Sequence, residues 1–323
     1  MKRTIKTDIT SEVKQQKKEN ISIRPRNFSE YIGQKQILDN LSVSIAAAKK
    51  RGKVLDHILL SGPPGLGKTS LAYVIAAETG SKIRTTNAPV IEKPRDMAAI
   101  LATLEENDIL FIDEIHRLPK QVEEMLYSAM EDFKIDILIG TAEQMKSITM
   151  ELPHFTLIGA TTREGMLTKP LYDRFQNHYK LELYTEEDLS KIILNTAAKM
   201  NFKINKALAL KIAAASRQTP RIANNLTKKI ADYSLVHGDM TEKRLRDAFD
   251  VIGINEEGLT LSDLKYLNLL KTAAPKPVGL NTLAAWLGES EDTIQDKIEP
   301  FLIQKGYILR TSSGRILANY NVL

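Results

Sequence analysis

The chain has 323 residues, which is enough for two or three domains with hydrophobic cores of their own. It contains no cysteine, which excludes disulfide bonds and thiolate metal sites, and no apolar run long enough to predict a membrane span. A net charge of +5 favours a polyanionic partner. From these features we expect a soluble protein of the cytoplasm.

The first elements of the chain lead to a functional motif. Residues 1–20 are polar and rich in lysine, and we expect a disordered basic tail there. Apolar residues at helical spacing predict a helix over 34–50, which ends at Gly52. The apolar run 58–60 then predicts a buried strand, and the apolar segment 71–77 predicts a helix.

Residues 62–69, between this strand and this helix, read Gly-Pro-Pro-Gly-Leu-Gly-Lys-Thr. The order is typical of a phosphate-binding loop, because glycine lets the backbone surround an anion and the helix adds the partial positive charge of its amino end. We expect Lys68 to reach the terminal phosphates and Thr69 to bind the magnesium ion that they carry. The sequence therefore predicts that the chain binds a nucleoside triphosphate.

The second motif is an apolar strand that ends in Asp113 and Glu114. The carboxyl ends of parallel strands form the ligand crevice of such a sheet, so we expect both carboxylates beside the phosphate loop. There Asp113 would hold the magnesium shell, and Glu114 would polarise a water for attack on the γ-phosphate. A helix cap is the alternative for this pair taken alone. We interpret His116 as a structural residue.

Strands and helices alternate through this part of the chain, which favours a doubly wound parallel α/β sheet. The predicted strand over 155–162 ends in Thr161 and Thr162, at the same edge of the sheet as the acidic pair. The further predicted elements are strands over 82–86 and 155–162, helices over 94–104 and 119–131, and a β-hairpin over about 135–150.

The alternation of strands and helices stops after Tyr184. Four successive segments with apolar residues at helical spacing then predict a small helical domain. Arg221 lies in the first turn of the third helix, where a cation is disfavoured, and a surface arginine is the alternative to a functional one. Three more helices and a terminal hairpin resemble a winged-helix module. The expected domains are a large ATPase domain over 21–185, a helical lid over 186–256 and a winged-helix head over 257–323.

Six motifs carry a resemblance to a known family. They are the phosphate loop, Asp-Glu-Ile-His, Gly-Ala-Thr-Thr-Arg, Leu-Tyr-Asp-Arg-Phe, Thr-Pro-Arg-Ile-Ala-Asn and Gly-Tyr-Ile-Leu-Arg-Thr-Ser-Ser-Gly-Arg. Their order is similar to that in the RuvB family, the AAA+ ATPases that drive branch migration of Holliday junctions in bacteria. The resemblance runs from about Ile21 to the end of the chain. It implies ATP and Mg²⁺ as cofactors, hexameric rings on duplex DNA, and RuvA and RuvC as partners in recombination and repair.

The resemblance also implies roles for individual residues. Lys68, Asp113, Glu114 and Arg174 would be catalytic, with Arg174 reaching the nucleotide of a neighbouring subunit, and Thr69 and Asp113 would hold the metal. Tyr172 and the segment 311–313 depart from the family pattern, which has arginine at the first position and Thr-Pro-Arg at the second. The implied ATP-binding residues are Ile23, Arg24, Gly65, Gly67, Lys68, Thr69, Ser70, Glu131, Asp132, Phe133, Thr161, Thr162, Arg174, Tyr184 and Arg221.

Two surfaces are predicted to bind macromolecules. The hairpin residues Ile139, Met145 and Ile148 are apolar and would dock the junction-binding partner, unless they pack on the core of this chain. Arg310 and Arg315 flank the turn of the terminal hairpin, and we expect them to contact DNA phosphates without reading bases. A solvated pair of surface arginines is the alternative.

Two other functions compete with a DNA motor. A clamp-loader-like or remodelling ATPase that acts on protein is disfavoured by the winged helix and by the inserted hairpin. A DNA-binding regulator with a vestigial ATPase is disfavoured because Lys68, Asp113, Glu114, Arg174 and Arg221 are all present.

Overall fold

The computed structural model describes residues 24–139 and 146–318. The expected basic tail, Ile23 and Met145 lie outside the described residues, as does the side chain of Ile139. The chain divides into two compact units, Met1–Tyr184 and Thr185–Leu323. Within the described ranges, no helix is both long and apolar enough to cross a membrane.

The first unit is built on a five-stranded parallel sheet with the strand order β2-β3-β6-β1-β7. Its central strands are buried along their whole length, as expected where helices cover both faces of a parallel sheet. A separate antiparallel hairpin, β4–β5, follows β3 and confirms the predicted hairpin. The strands are β1 (Ile58–Ser61), β2 (Ile83–Asn87), β3 (Ile109–Asp113), β4 (Lys134–Ile139), β5 (Lys146–Glu151), β6 (Thr156–Thr161) and β7 (Asn177–Lys180).

The helices of the first unit alternate with these strands, which confirms the predicted doubly wound arrangement. Helix α1 packs against α2, and α3 packs against α4. Met97 of α3 and Leu126 of α4 belong to one buried cluster with Leu110 of β3, so hydrophobic burial fixes this layer to the sheet. The helices are α1 (Lys35–Arg51), α2 (Lys68–Thr79), α3 (Pro94–Leu101), α4 (Lys120–Glu131) and α5 (Lys169–Tyr172).

Two elements of the first unit differ from the sequence prediction. Helix α3 stops at Leu101 rather than at Leu104, and the following turn is closed by the carboxylate of Asp108, which accepts from the N–H of Glu105 at 3.0 Å. Strand β7 was not predicted, because an edge strand of four residues with one buried side chain carries no apolar run.

The second unit begins with four helices and ends in a winged-helix arrangement, as predicted. The segment expected as one helix over 291–305 has three parts: an α-turn at Glu291–Thr293, a π-helical stretch at Ile294–Ile298 and an α-helix at Glu299–Gln304. Pro300 has no N–H to donate to the preceding turn, which favours the wider geometry there. The other elements are α6 (Glu186–Lys199), α7 (Lys206–Ala214), α8 (Pro220–His237), α9 (Glu242–Ile252), α10 (Leu261–Ala273), α11 (Leu280–Leu287), β8 (Ile308–Thr311) and β9 (Gly314–Leu317).

A buried carboxylate ties the winged-helix elements together. Glu299 is fully buried and accepts from the Tyr266 hydroxyl at 2.9 Å, from Arg315 Nε at 2.8 Å and from Arg310 Nε at 2.7 Å. Burial raises the pKa of the Glu299 carboxyl, but the hydrogen bonds from Arg315, Tyr266 and Arg310 outweigh it and leave the pKa below its ordinary value. The ionised carboxylate therefore links α10 and the helix Glu299–Gln304 to both strands of the wing.

We expect Glu299→Ala to lower the free energy of unfolding of this part of the chain by about 3–5 kcal/mol, because it leaves two arginines and a tyrosine without their buried acceptor. Trp286 on α11 is the only tryptophan of the chain, so its fluorescence in a urea titration reports on this region. The control Glu257→Ala removes an exposed carboxylate that accepts from Tyr307 and should cost about 1 kcal/mol or less.

The same carboxylate predicts a pH dependence. Because the folded-state pKa of Glu299 is lowered, its contribution is present above the unfolded-state pKa and is lost as the pH falls through the folded-state pKa. Equal stability of Glu299→Ala and Glu257→Ala at pH 7 would contradict a structural role for the cluster.

Candidate nucleotide-binding site

The phosphate loop connects β1 to α2, whose first residue is Lys68. Gly62, Gly65 and Gly67 have φ angles of +132°, +85° and +102°, in the region that favours glycine. A Cβ atom at Gly62 would lie 2.7 Å from the carbonyl oxygen of Leu181, so the turn also excludes a side chain there. The loop thus directs its backbone and the amino end of α2 toward one cradle that fits an anion.

The cation of the loop is held in place by the loop itself. Lys68 is buried, and its Nζ atom donates to the carbonyl oxygens of Gly62 at 2.7 Å and Pro63 at 3.1 Å. Thr69 and Ser70 follow in the first turn of α2. An ammonium group in this position is poised to exchange carbonyl oxygens for phosphate oxygens.

Two buried tyrosines support the phosphate loop from its other side. The hydroxyl of Tyr184 donates to the carbonyl oxygen of Leu66 at 3.3 Å, and that of Tyr31 donates to the carbonyl oxygen of Gly67 at 3.4 Å. Burial, and then the proximity of Tyr184, raise the pKa of Tyr31, so its hydroxyl stays a neutral donor. Tyr184 was predicted from the family pattern, whereas Tyr31 lies in an extended segment without any motif and was missed.

The acidic pair lies at the carboxyl end of β3, next to the end of β6. Asp113 closes the strand and accepts from the N–H of Glu114 at 3.0 Å, while Glu114 has a left-handed φ of +50°. Glu114 Oε2 accepts from the hydroxyl of Thr162 at 3.0 Å and lies 3.3 Å from His116 Nδ1. The same ring atom is 2.8 Å from the Thr161 hydroxyl. Adjacent strands thereby join both threonines to Glu114.

His116, which we interpreted as a structural residue, lies between Glu114 and Thr161. Burial lowers the pKa of His116, while the charge of Glu114 raises it and is the smaller effect. The imidazole is therefore neutral at pH 7, and its Nδ1 atom lies between the Thr161 hydroxyl, its hydrogen-bond partner, and the Glu114 carboxylate. The spacing Asp-Glu-x-His was visible in the sequence, but the register of β3 with β6 was not.

The other residues of the predicted site are only partly brought together. The guanidinium of Arg24 lies 5.2 Å from the centre of the Tyr73 ring on α2, the helix that follows the phosphate loop. Arg221 is exposed in the first turn of α8 and belongs to the second unit.

Arg174 lies near the amino-terminal ends of the sheet strands, whereas the phosphate loop lies at their carboxyl ends. It shortly precedes β7, whose first residue, Asn177, is in register with Ile58 at the start of β1. The phosphate loop follows the other end of β1, so the two features are separated by the length of the strand. Arg174 Nη2 is 3.1 Å from Glu131 Oε2, and Nη1 donates to the Pro170 carbonyl at 2.8 Å.

Glu131, Asp132 and Phe133, which the resemblance implies as ATP-binding residues, lie away from the phosphate loop of the same chain. A φ of +52° at Phe133 turns the chain from α4 into β4, and the ring packs 4.5 Å from His154 and 5.8 Å from Phe155. Both partners precede β6, so aromatic packing holds Phe133 at the amino-terminal edge. Glu131 shares this edge through its ion pair with Arg174.

The two wing arginines share one buried partner. Arg310 and Arg315 lie opposite each other on β8 and β9, but both guanidinium groups bond to Glu299 instead of projecting together into solvent. The Arg315 side chain is 15% exposed and that of Arg310 is 46% exposed. Both arginines neutralise the buried carboxylate, and Arg310 is the more accessible cation of the pair.

A parallel sheet with a glycine-rich phosphate loop, an acidic strand end and paired threonines defines a P-loop ATPase of the AAA+ class. Three family models match successive parts of the chain: the Holliday junction DNA helicase RuvB P-loop domain over 23–181, the RuvB AAA lid domain over 184–255 and the RuvB C-terminal winged-helix domain over 256–322. The chain belongs to the RuvB family.

Relatives and solved structures agree with this assignment. The Holliday junction branch migration complex subunit RuvB of Campylobacter hominis is 52% identical over 92% of this chain and 88% of its own length. The protein of the same name from Campylobacter lari is 53% identical over 94% and 91%. The structure of the Thermotoga maritima RuvB Holliday junction branch migration motor is 45% identical and covers 92% of this chain and 95% of its own, with a TM-score of 0.79.

We expect Gly62→Ala to weaken binding of a fluorescent ATP analogue about tenfold to a hundredfold, because the new methyl group meets the Leu181 carbonyl and the backbone conformation is strained. The control is Gly165→Ala, where an added Cβ has no neighbour within 4 Å and affinity should be unchanged. Equal affinities of the two variants would contradict the geometric requirement at Gly62.

Proposed function

We propose that this chain is an ATP-driven DNA translocase that branch-migrates Holliday junctions, acting as a homo-hexameric ring with RuvA, and with RuvC as resolvase, in recombination and repair in the cytoplasm after DNA damage. The observation that carries the proposal is the combination, in one RuvB-family chain, of a hydrolytic edge with a winged-helix region. The names of its relatives, a subunit of a Holliday junction branch migration complex and a branch migration motor, support it.

Hydrolysis takes place at the edge formed by the phosphate loop and the end of β3. Lys68 and the amino end of α2 neutralise the phosphates, and Glu114 orients the attacking water. Support for this role of Glu114 comes from the hydrogen bond that its carboxylate accepts from Thr162 and from the His116 ring 3.3 Å away, which together fix the carboxylate. Thr161 or Thr162 senses the γ-phosphate, and the contacts of these threonines with His116 and Glu114 link the sensor to the catalytic carboxylate.

Thr69 and Asp113 would hold Mg²⁺ at this edge. A hydroxyl and a carboxylate are hard oxygen donors, and a set of two suits a magnesium ion that keeps water and phosphate ligands. The bound ion supplies positive charge to the phosphates.

Arg174 acts on the nucleotide of a neighbouring subunit, as an arginine finger. Its position supports this role, since the amino-terminal edge of the sheet faces away from the phosphate loop of the same chain. In a head-to-tail ring one edge of each subunit meets the opposite edge of the next, so Glu131, Asp132 and Phe133 would approach the same neighbouring nucleotide. Ile23 and Arg24 contact the adenosine in their own subunit with Tyr184 nearby, and Arg221 is the sensor arginine of the lid.

Duplex DNA is held by the winged-helix head through phosphate contacts. Arg310 makes the more direct contact because it is the more exposed, and Arg315 keeps Glu299 neutralised beside it. Phosphate contacts position a protein without reading sequence, as a motor that moves along DNA requires.

The hairpin β4–β5 docks RuvA through its apolar face. Ile135 at its base is buried, whereas Ile148, opposite Ile137 in the register, is 51% exposed. The apolar stripe therefore continues beyond the core of the chain, which supports a partner surface over the alternative of internal packing. The proposed docking residues also include Ile139 and Met145.

Replacing the two central residues of the ATPase edge tests the function. We expect Lys68→Ala to abolish ATP hydrolysis, and Glu114→Gln to retain ATP while turnover falls about 10²- to 10⁴-fold, because the amide keeps the shape and loses the charge. In the presence of RuvA and ATP, the unmodified chain should dissociate a synthetic four-way junction, and neither variant should do so. Junction dissociation at an undiminished rate by Glu114→Gln would sink the proposed role, and failure of the unmodified chain would sink the proposed function.

A matched pair of variants tests the hairpin. Ile148→Lys places a charge on the apolar face and should reduce RuvA affinity at least about tenfold, while Thr149→Lys places the same charge on the other face and should leave affinity unchanged. Affinity is measured by titration with RuvA, and ATPase activity without DNA serves as the check of folding. Equal effects of the two variants on RuvA affinity would refute this docking face.

A further inference from the structure

One face of helix α4 carries Glu123, Tyr127 and Glu131, which are spaced four residues apart and so lie one above the other. We call these three residues the α4 stripe. Each of them contacts the segment that runs from Thr168 to Arg174. The motifs of the sequence draw attention to Arg174 and Glu131 but not to the two other members of the stripe.

Glu123, at the amino-terminal end of the α4 stripe, anchors the Tyr127 ring. Glu123 is buried, and its Oε2 accepts from the Thr168 hydroxyl at 2.7 Å and from the Tyr127 hydroxyl at 3.3 Å. The two hydroxyls are 3.2 Å apart. Burial raises the pKa of Tyr127, so the phenol stays protonated and donates. The ring orientation is therefore fixed by a closed set of hydrogen bonds at its far end.

Tyr127 and Glu131, toward the carboxyl-terminal end of the stripe, hold the guanidinium of Arg174. The centre of the guanidinium lies 4.3 Å from the centre of the Tyr127 ring, a cation–π distance. Glu131 binds Nη2 and the Pro170 carbonyl binds Nη1. The third guanidinium nitrogen, Nε, is buried and has no hydrogen-bond partner in the described part of the chain. The contact of the guanidinium with the Tyr127 ring face is therefore not directed by a hydrogen bond from Nε.

An arginine that acts across a subunit boundary must be ordered before the neighbouring nucleotide arrives. A free arginine side chain carries large rotamer entropy, and ordering it at the moment of reaction would raise the barrier. The ring does not compete for the terminal Nη atoms, which are the donors that a phosphate needs. Glu131, by contrast, is an exchangeable partner because its side chain is 56% exposed.

We propose that Tyr127 is a positioning residue for the reaction, and that its ring holds the Arg174 guanidinium in place for the ATP bound to the neighbouring subunit. The inference rests on the proposed function of Arg174. It assigns the effect to the aromatic face and not to the hydroxyl. Loss of the ring should therefore reduce the turnover of the neighbouring site and leave the nucleotide affinity of its own site unchanged.

The test compares Tyr127→Leu with Tyr127→Phe in the full-length chain, in DNA-stimulated ATP hydrolysis. Tyr127→Leu removes the aromatic face, and kcat should fall about threefold to thirtyfold with KM for ATP within about twofold of the unmodified value. Tyr127→Phe keeps the face and should restore kcat to within about twofold. Equal losses in the two variants, or a change confined to KM, would overturn the proposal.

Mixed rings separate positioning from misfolding. Subunits with Tyr127→Leu have an intact ATP site, and subunits with Lys68→Ala have an intact Arg174, so mixing them should raise turnover above the sum of the separate preparations. No gain at any ratio would overturn the proposal. Arg174→Ala distinguishes the two levels of inference: an undiminished kcat in that variant sinks the proposed finger itself, whereas a low kcat in Arg174→Ala with a normal kcat in Tyr127→Leu sinks only the role of Tyr127.

Discussion

The parallel pairing of β1 with β6 and β7, and of β3 with β2 and β6, is the constraint on which the rest of this molecule depends. Parallel strands place all their carboxyl ends at one edge, so residues that are far apart along the chain, such as Glu114 and Thr162, meet there. The same constraint sends the segment before β7 to the other edge. The phosphate loop and Arg174 therefore lie at opposite ends of the strands of one sheet.

Buried carboxylates position three arginines of this chain, two directly and one through an aromatic ring. Glu299 gathers both arginines of the wing, and Glu123 fixes the ring on which Arg174 rests. A buried carboxylate without partners is costly, so each one imposes a defined geometry on its donors. In both places, carboxylate placement therefore decides how much of an arginine is exposed and which of its donors remain available.

Two tyrosines pack behind the phosphate loop and hydrogen-bond to its backbone. Tyr31 and Tyr184 come from opposite ends of the first unit and reach the carbonyl oxygens of neighbouring loop residues. Gly33 leaves no room for a side chain above Tyr184, since an added Cβ would lie 2.6 Å from its ring. The loop conformation is therefore fixed by packing from behind as well as by its own glycines.

The sequence by itself determined the local chemistry of this protein. The phosphate loop, the acidic strand end, the alternation of strands and helices, the hairpin and the family were all readable, because each depends on neighbouring residues or on a fixed period. Tertiary structure alone decided which groups meet across strands and helices. His116 joined Glu114 and Thr161, Tyr31 reached Gly67, Phe133 turned to the edge away from the loop, and the wing arginines turned to Glu299. These outcomes depend on strand register and on the neutralisation of buried charge, which no short stretch of sequence encodes.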